Sequence, residues 1–206
     1  MSTPSDSDSQ QKALPVTPGS IVLVRHGEPA LSRKIRLNSA EYRAWWARYE
    51  EGGIREGQVP PPGLIDTACQ ADVIFASTRL RAVQTAAAVC GAKKVTPDPL
   101  LIEAPLPPPP LPAFIRLNPR TWGFLTRVTW WFFNRHEDQE SRAEAEARAA
   151  QVAERLIARA GAGEKVLVLA HGFFNTMVGI ELKRRGWAQV EGRGHRYWTA
   201  KRFEWR

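Results

Sequence analysis

Ile21-Val22-Leu23-Val24-Arg25-His26-Gly27-Glu28 is the stretch that decides the fold. Four β-forming residues in succession, followed by an Arg-His pair on a glycine turn, predict a buried strand that delivers an imidazole to the edge of a sheet. The same design recurs late in the chain, where Val166-Leu167-Val168-Leu169-Ala170 runs into His171-Gly172. In open α/β sheets, ligands bind in the crevice beyond the carboxyl ends of the strands, so two distant strands that each end in His-Gly can bring His26 and His171 together. Between them, Arg79-Leu80-Arg81-Ala82-Val83-Gln84-Thr85 heads an alanine-rich stretch predicted as a helix from Leu80 to Cys90, closed by Gly91. Val73-Ile74-Phe75 ahead of it reads as a second strand.

The three blocks, in this order, resemble the histidine phosphatase superfamily, the phosphoglycerate-mutase-like fold, over residues 20–206. Ser77-Thr78-Arg79-Leu80-Arg81-Ala82-Val83-Gln84-Thr85 is similar to that family's Ser-Pro-Leu-x-Arg-Ala-x-Gln-Thr block. Where the family often has Thr or Ser after the first Glu and an Asn a few residues on, this chain has Pro29 and then Ala30-Leu31-Ser32-Arg33. That departure falls on the outer rim of the pocket and bears on substrate identity more than on chemistry. The expected fold is a three-layer α/β/α sandwich with a mostly parallel central sheet and a helical, aromatic insertion as a lid.

Phosphoryl transfer asks a protein to position the phosphate, neutralise its oxygens and supply one nucleophile and one proton. His26 fits the nucleophile if it attacks as neutral imidazole, a form that clustered arginines favour by like-charge repulsion, and the resemblance implies the same role. Arg25 and Arg81 are fixed cations whose forks can hold two phosphate edges, and His171 completes the cradle. Glu103, in Asp98-Pro99-Leu100-Leu101-Ile102-Glu103, matches a position where the family often places its acid, although Ala104-Pro105-Leu106-Pro107 replaces the usual glycine-containing continuation. Glu28 is the rival proton donor. Gly27, Glu28, Gly172, Arg79 and Asn175, close to the matched blocks, are candidate contacts to substrate. The expected activity is hydrolysis of a small phosphomonoester through a phosphohistidine intermediate. Two alternatives stand beside it: a phosphoglycerate-type mutase, and a phosphate-binding regulatory protein that has lost turnover.

Composition bounds the rest. With 206 residues, 43% of them hydrophobic, the chain can bury one good core carrying an insertion. Residues 1–19, polar and proline-containing, are expected to form a disordered tail ahead of a single domain, 20–206. A basic start with an apolar run is missing there, so a cytoplasmic location is expected. Cys69 and Cys90 lack any ligand spacing and read as buried small hydrophobes. The four histidines, 26, 136, 171 and 195, have no metal-binding pattern, so no metal or cofactor is expected, and His136 and His195 are read as structural.

The net charge of +8 is concentrated in two segments. Residues 114–135 hold Arg116, Arg120, Arg127 and Arg135 with no acid, and residues 183–206 hold eight bases against Glu191 and Glu204. Such clusters suit an anionic substrate, an anionic membrane surface or nucleic acid. No nucleic-acid motif accompanies them, and no nucleic-acid partner is expected.

Further signals place the remaining elements. Asn38 with Glu41 begins a helix whose Tyr42, Trp45, Trp46 and Tyr49 form a stripe read as packed core, ended by Gly52-Gly53. Val59-Pro60-Pro61-Pro62-Gly63 reads as a stiff connector. Residues 105–112 hold six prolines, which impose an extended arm into the insertion, 105–135. The aromatic stretch Phe114 to Phe133 carries three arginines, which weigh against a membrane span; a lid is the first reading and an interfacial helix the second. Ser141 with Glu144 starts another helix, which stops at Gly161. Further on, a helix over Phe173–Arg185 and a strand over His195–Phe203 complete the chain.

Overall fold

The computed structural model describes residues 17–206. The tail expected over 1–19 therefore lies mostly outside the described residues; within them, Gly19 already donates its N–H to the Ala160 carbonyl at 2.7 Å. Six strands form one sheet: β1 (Ser20–Arg25), β2 (Val73–Ser77), β3 (Thr96–Asp98), β4 (Lys165–Ala170), β5 (Trp187–Glu191) and β6 (Ala200–Trp205). Their order is β3-β2-β4-β1-β6-β5. The first four run parallel, and β6 and β5 add an antiparallel edge. The helices are α1 (Ser39–Glu51), α2 (Pro62–Gln70), α3 (Leu80–Cys90), α4 (Pro119–Phe133), α5 (Arg142–Gly161) and α6 (Gly172–Arg184).

The apolar runs of β1 and β4 are continuous because both faces of these strands are buried. Ile21, Leu23, Val166 and Val168 pack with α5 and α6 through Val152, Leu156, Phe174 and Val178. Val22, Val24, Leu167 and Leu169 face the other way, onto Leu64 and Ala68 of α2 and Ala86 and Val89 of α3. The result is the three-layer sandwich the motifs implied.

Both capping boxes form: Asn38 and Glu41 reciprocally cap α1, and Ser141 and Glu144 cap α5. Four assignments change. Pro62 opens α2 instead of continuing a connector, because the first helical position needs no N–H and tolerates a fixed φ. β3, three residues with a central proline, has no sequence periodicity to reveal it, yet pairs with the end of β2. β5 also escapes the sequence reading, and the last strand starts at Ala200 instead of His195. Residues 192–199 are a loop, in which Gly192, Gly194 and Trp198 take left-handed backbone angles that no ladder accommodates. Cys69 is exposed, whereas Cys90 is buried and burial pushes its thiol up to about 11.

A third apolar cluster lies outside the sheet. Tyr42, Trp45 and Tyr49 of α1 bury themselves against Trp122 of α4. Tyr42 stacks on Trp122 with ring centroids 5.4 Å apart, and the Trp122 indole N–H donates to the Leu37 carbonyl at 2.7 Å. Thus α1 and the 105–135 segment form a cap over the carboxyl ends of the strands.

Candidate active site

β1 and β4 lie side by side in register, with Arg25 opposite Ala170, so His26 and His171 leave the sheet next to each other. Their ring centroids are 5.2 Å apart, edge to face, and both side chains are buried. His26 Nδ1 lies 2.7 Å from the Gly27 carbonyl oxygen. A carbonyl only accepts, so Nδ1 carries the hydrogen and Nε2 keeps its lone pair. Burial first, then the charges of Arg81 and Arg25, holds the His26 imidazole well below the usual histidine range. Burial, Arg81 and His26 do the same to His171. Neutral His26 with a free Nε2 is the form a nucleophile needs.

The turn after His26 is fixed by contacts a larger residue would break. A Cβ on Gly27 would lie 2.5 Å from the Trp198 indole, and the Gly27 N–H donates to Thr85 Oγ1 at 2.9 Å. Gly172 makes room for Arg25, whose Cδ would stand 3.1 Å from an added Cβ. The Arg25 guanidinium sits 4.4 Å above the Tyr197 ring and donates to the His195 carbonyl. His171 caps α6 and shares a 2.8 Å hydrogen bond with Ser77 Oγ through Nε2. Its Nδ1, Arg25 Nε and Arg81 Nε are buried without a partner within the protein. These three nitrogens, on residues that adjoin His26, leave hydrogen-bonding capacity that an acceptor-rich group could take up.

Arg81 is fully buried, but its fork does not open into the cleft. NH1 donates to the Tyr49 carbonyl at 3.0 Å and NH2 to Glu50 Oε1 at 2.8 Å. Glu50 is an acid the sequence did not single out; its other oxygen pairs with Arg79 Nε at 3.0 Å. Arg81 thus acts on the histidines through its charge, with only Nε unclaimed. Arg79 lies in a neighbouring groove with Glu50 and Trp46.

Glu103 faces the same cleft as His26 and accepts the N–H groups of Phe174 at 2.8 Å and Phe173 at 3.2 Å, at the start of α6. Arg148 of α5 holds that segment in place by donating to the Leu100 and Ile102 carbonyls. The rival Glu28 is turned away, paired with Arg55 at 3.0 Å on the surface. Asn175 does not line the cleft either: its amide donates to the Val24 carbonyl at 3.0 Å and ties α6 to β1.

The cleft encloses about 420 Å³. Arg25, His26, Glu103 and Gly172 form its floor, and the cap supplies the walls: Trp45, Trp46 and Tyr49 from α1, and Arg120, Gly123 and Arg127 from α4. The aromatic stripe of α1 is therefore core on one side and cleft wall on the other. Arg33 and Tyr197 carried no sequence signal, and His195, read from the sequence as structural, belongs to the cleft instead. Arg33 lines the cleft and donates to the Tyr49 hydroxyl at 2.8 Å, His195 reaches it from the loop before β6, and Tyr197 lies 5.9 Å from the His26 ring. Arg33 sits in the segment that departs from the family pattern, so no motif marked it. His136 stays outside, bonded to the Gln139 carbonyl. Among the described residues, no cluster of His, Cys, Asp and Glu has the composition of a metal site.

The sequence profile of the histidine phosphatase superfamily (branch 1) matches residues 66–205. The chain belongs to this superfamily, and its class is that of the phosphatases. No match is found among curated proteins. Among solved structures, it is similar to mycobacterial glucosyl-3-phosphoglycerate phosphatase in complex with VO3, at 17% identity and a TM-score of 0.55, over 91% of this chain and 96% of that one. It is also similar to phosphoserine phosphatase of Entamoeba histolytica in complex with 3-phosphoglyceric acid, at 17% identity and a TM-score of 0.51, over 81% and 80%. Mycobacterial hydrolase 2 aligns at 19% identity and a TM-score of 0.52, over 80% and 72%.

Proposed function

We propose that the protein hydrolyses phosphomonoesters of small molecules through a phosphohistidine on Nε2 of His26, without a cofactor. The observation that carries this reading is a buried His26 whose Nδ1 is tied to the Gly27 carbonyl, beside Arg25 Nε, Arg81 Nε and His171 Nδ1, which have no partner within the protein. Arg25 Nε, Arg81 Nε and, with Ser77 donating to Nε2, the Nδ1–H of His171 are the donors available to phosphoryl oxygens. The lone pair of Nε2 forms the P–N bond as the ester P–O bond breaks, and the carboxyl of Glu103 gives its proton to the departing oxygen. Water then attacks phosphorus, returns a proton to Glu103 and breaks the P–N bond, releasing inorganic phosphate. The aromatic and arginine walls suit a compact anionic ester, in keeping with the phosphoserine and glucosyl-3-phosphoglycerate phosphatases of the same fold.

Rapid quenching during turnover tests this directly. Acid-labile, base-stable phosphate is expected on the wild-type chain and absent from His26→Ala. Label on a serine or an acid instead would overturn the mechanism.

A further inference from the structure

The outward face of α4 carries an unusual surface. Phe124 is 65% and Phe132 74% exposed. With Val128 between them they occupy one stripe at four-residue spacing, opposite the buried Trp122, Thr126 and Trp130. Phe133, 75% exposed, ends the helix about 100° round from Phe132. Isolated exposed apolar residues need no explanation, but several large exposed aromatic side chains on one helix mark an interaction surface. Arg120, exposed, stands on the flank between this stripe and the cleft, whereas the Arg127 guanidinium lies over the Phe173 ring in the cleft, 5.4 Å from its centroid. No acid occurs between Glu103 and Glu137.

We propose that this face of α4 docks on an anionic lipid bilayer, with the mouth of the catalytic cleft beside the membrane surface. A helix face with exposed aromatic rings, bordered by Arg120 and lacking carboxylates, has the chemistry of an interfacial helix, in which the rings enter the headgroup boundary and the guanidinium group meets lipid phosphate. At 15 residues α4 lies on a bilayer instead of crossing one, and no helix among the described residues is long and apolar enough to cross. A second copy of the chain fits the face less well, since it would set the same arginines against each other with no acid on the helix to meet them.

The full chain is sedimented with vesicles of phosphatidylcholine and phosphatidylglycerol, and with phosphatidylcholine alone, at low and high salt. The protein is expected to pellet with the anionic vesicles only and to be released by salt. Replacing Phe124→Ser together with Phe132→Ser is expected to weaken binding roughly tenfold or more while leaving hydrolysis of p-nitrophenyl phosphate intact. His26→Ala is expected to bind vesicles like the wild type, which separates docking from the proposed chemistry. Wild-type protein left in the supernatant with anionic vesicles, or equal binding by the double variant, would overturn the proposal. So would a dimer in light scattering that the two serines dissolve.

Discussion

The strand-end floor and the aromatic cap are built on different principles. On the floor, His26, His171 and Arg81 are held by the sheet, by α3 and by hydrogen bonds to main chain and buried hydroxyls, and they are buried to 2% exposure or less. In the cap, α1 and α4 pack on each other through Tyr42, Trp45, Tyr49 and Trp122, α4 also reaches the main core through Trp130, and Arg120 and Arg127 of α4 line the cleft without being sealed. The floor thus has one geometry available to it, which suits bond-making. The cap sets volume and charge, and it meets the floor at Tyr49 and Glu50 of α1, which hold Arg81. Under the proposed function, the floor carries the chemistry and the outer walls of the cap carry substrate choice.

The sharpest way to break this division is to remove the nucleophile. His26→Ala is expected to lower kcat/KM for p-nitrophenyl phosphate roughly 10⁴-fold or more, with the melting temperature little changed. Retained turnover would move the chemistry off the floor. Next in size is Trp122→Ala in the cap, expected to reduce stability by about 3–5 kcal/mol in denaturant unfolding, the range for a buried tryptophan. If the folded fraction of that variant hydrolysed p-nitrophenyl phosphate as poorly as His26→Ala, cap and floor would not be separable. Glu103→Gln follows, with roughly a hundredfold loss on alkyl phosphates and a much smaller one on p-nitrophenyl phosphate, whose departing oxygen needs no proton. Equal losses on both esters would remove Glu103 from the proton-donor role.

The smallest effect concerns pH. His26 and His171 both have folded pKa values lowered from 6.5, chiefly by burial, so the unfolded chain binds protons that the folded chain does not. Their contribution to stability is therefore present above about pH 6.5 and lost as the pH falls through it, by up to about 1.4 kcal/mol per pH unit for each histidine. Thermal melts of wild type and His171→Gln between neutral and mildly acidic pH check the sign. The variant should lose stability less steeply.

Sequence alone determined the layers and the floor. Continuous apolar runs ending in His-Gly, an Arg81 block heading a helix and two capping boxes are local signals, and each reports a backbone conformation directly. These placed β1, α3, β4 and the start of α5, and with them His26, Arg81 and His171. Only the tertiary structure decided which charges face which. Glu28 and Glu103 are both carboxylates near a motif, yet one meets Arg55 on the surface and the other meets the amides of α6 in the cleft. Glu50 clamps Arg81 and Arg79 from a helix with no motif at that position, Arg33 and His195 reach the cleft from loops, and Tyr197 lies 5.9 Å from the His26 ring. A long-range ion pair or a cleft wall depends on how separate segments cross in space, and loops carry no periodicity from which that crossing is readable.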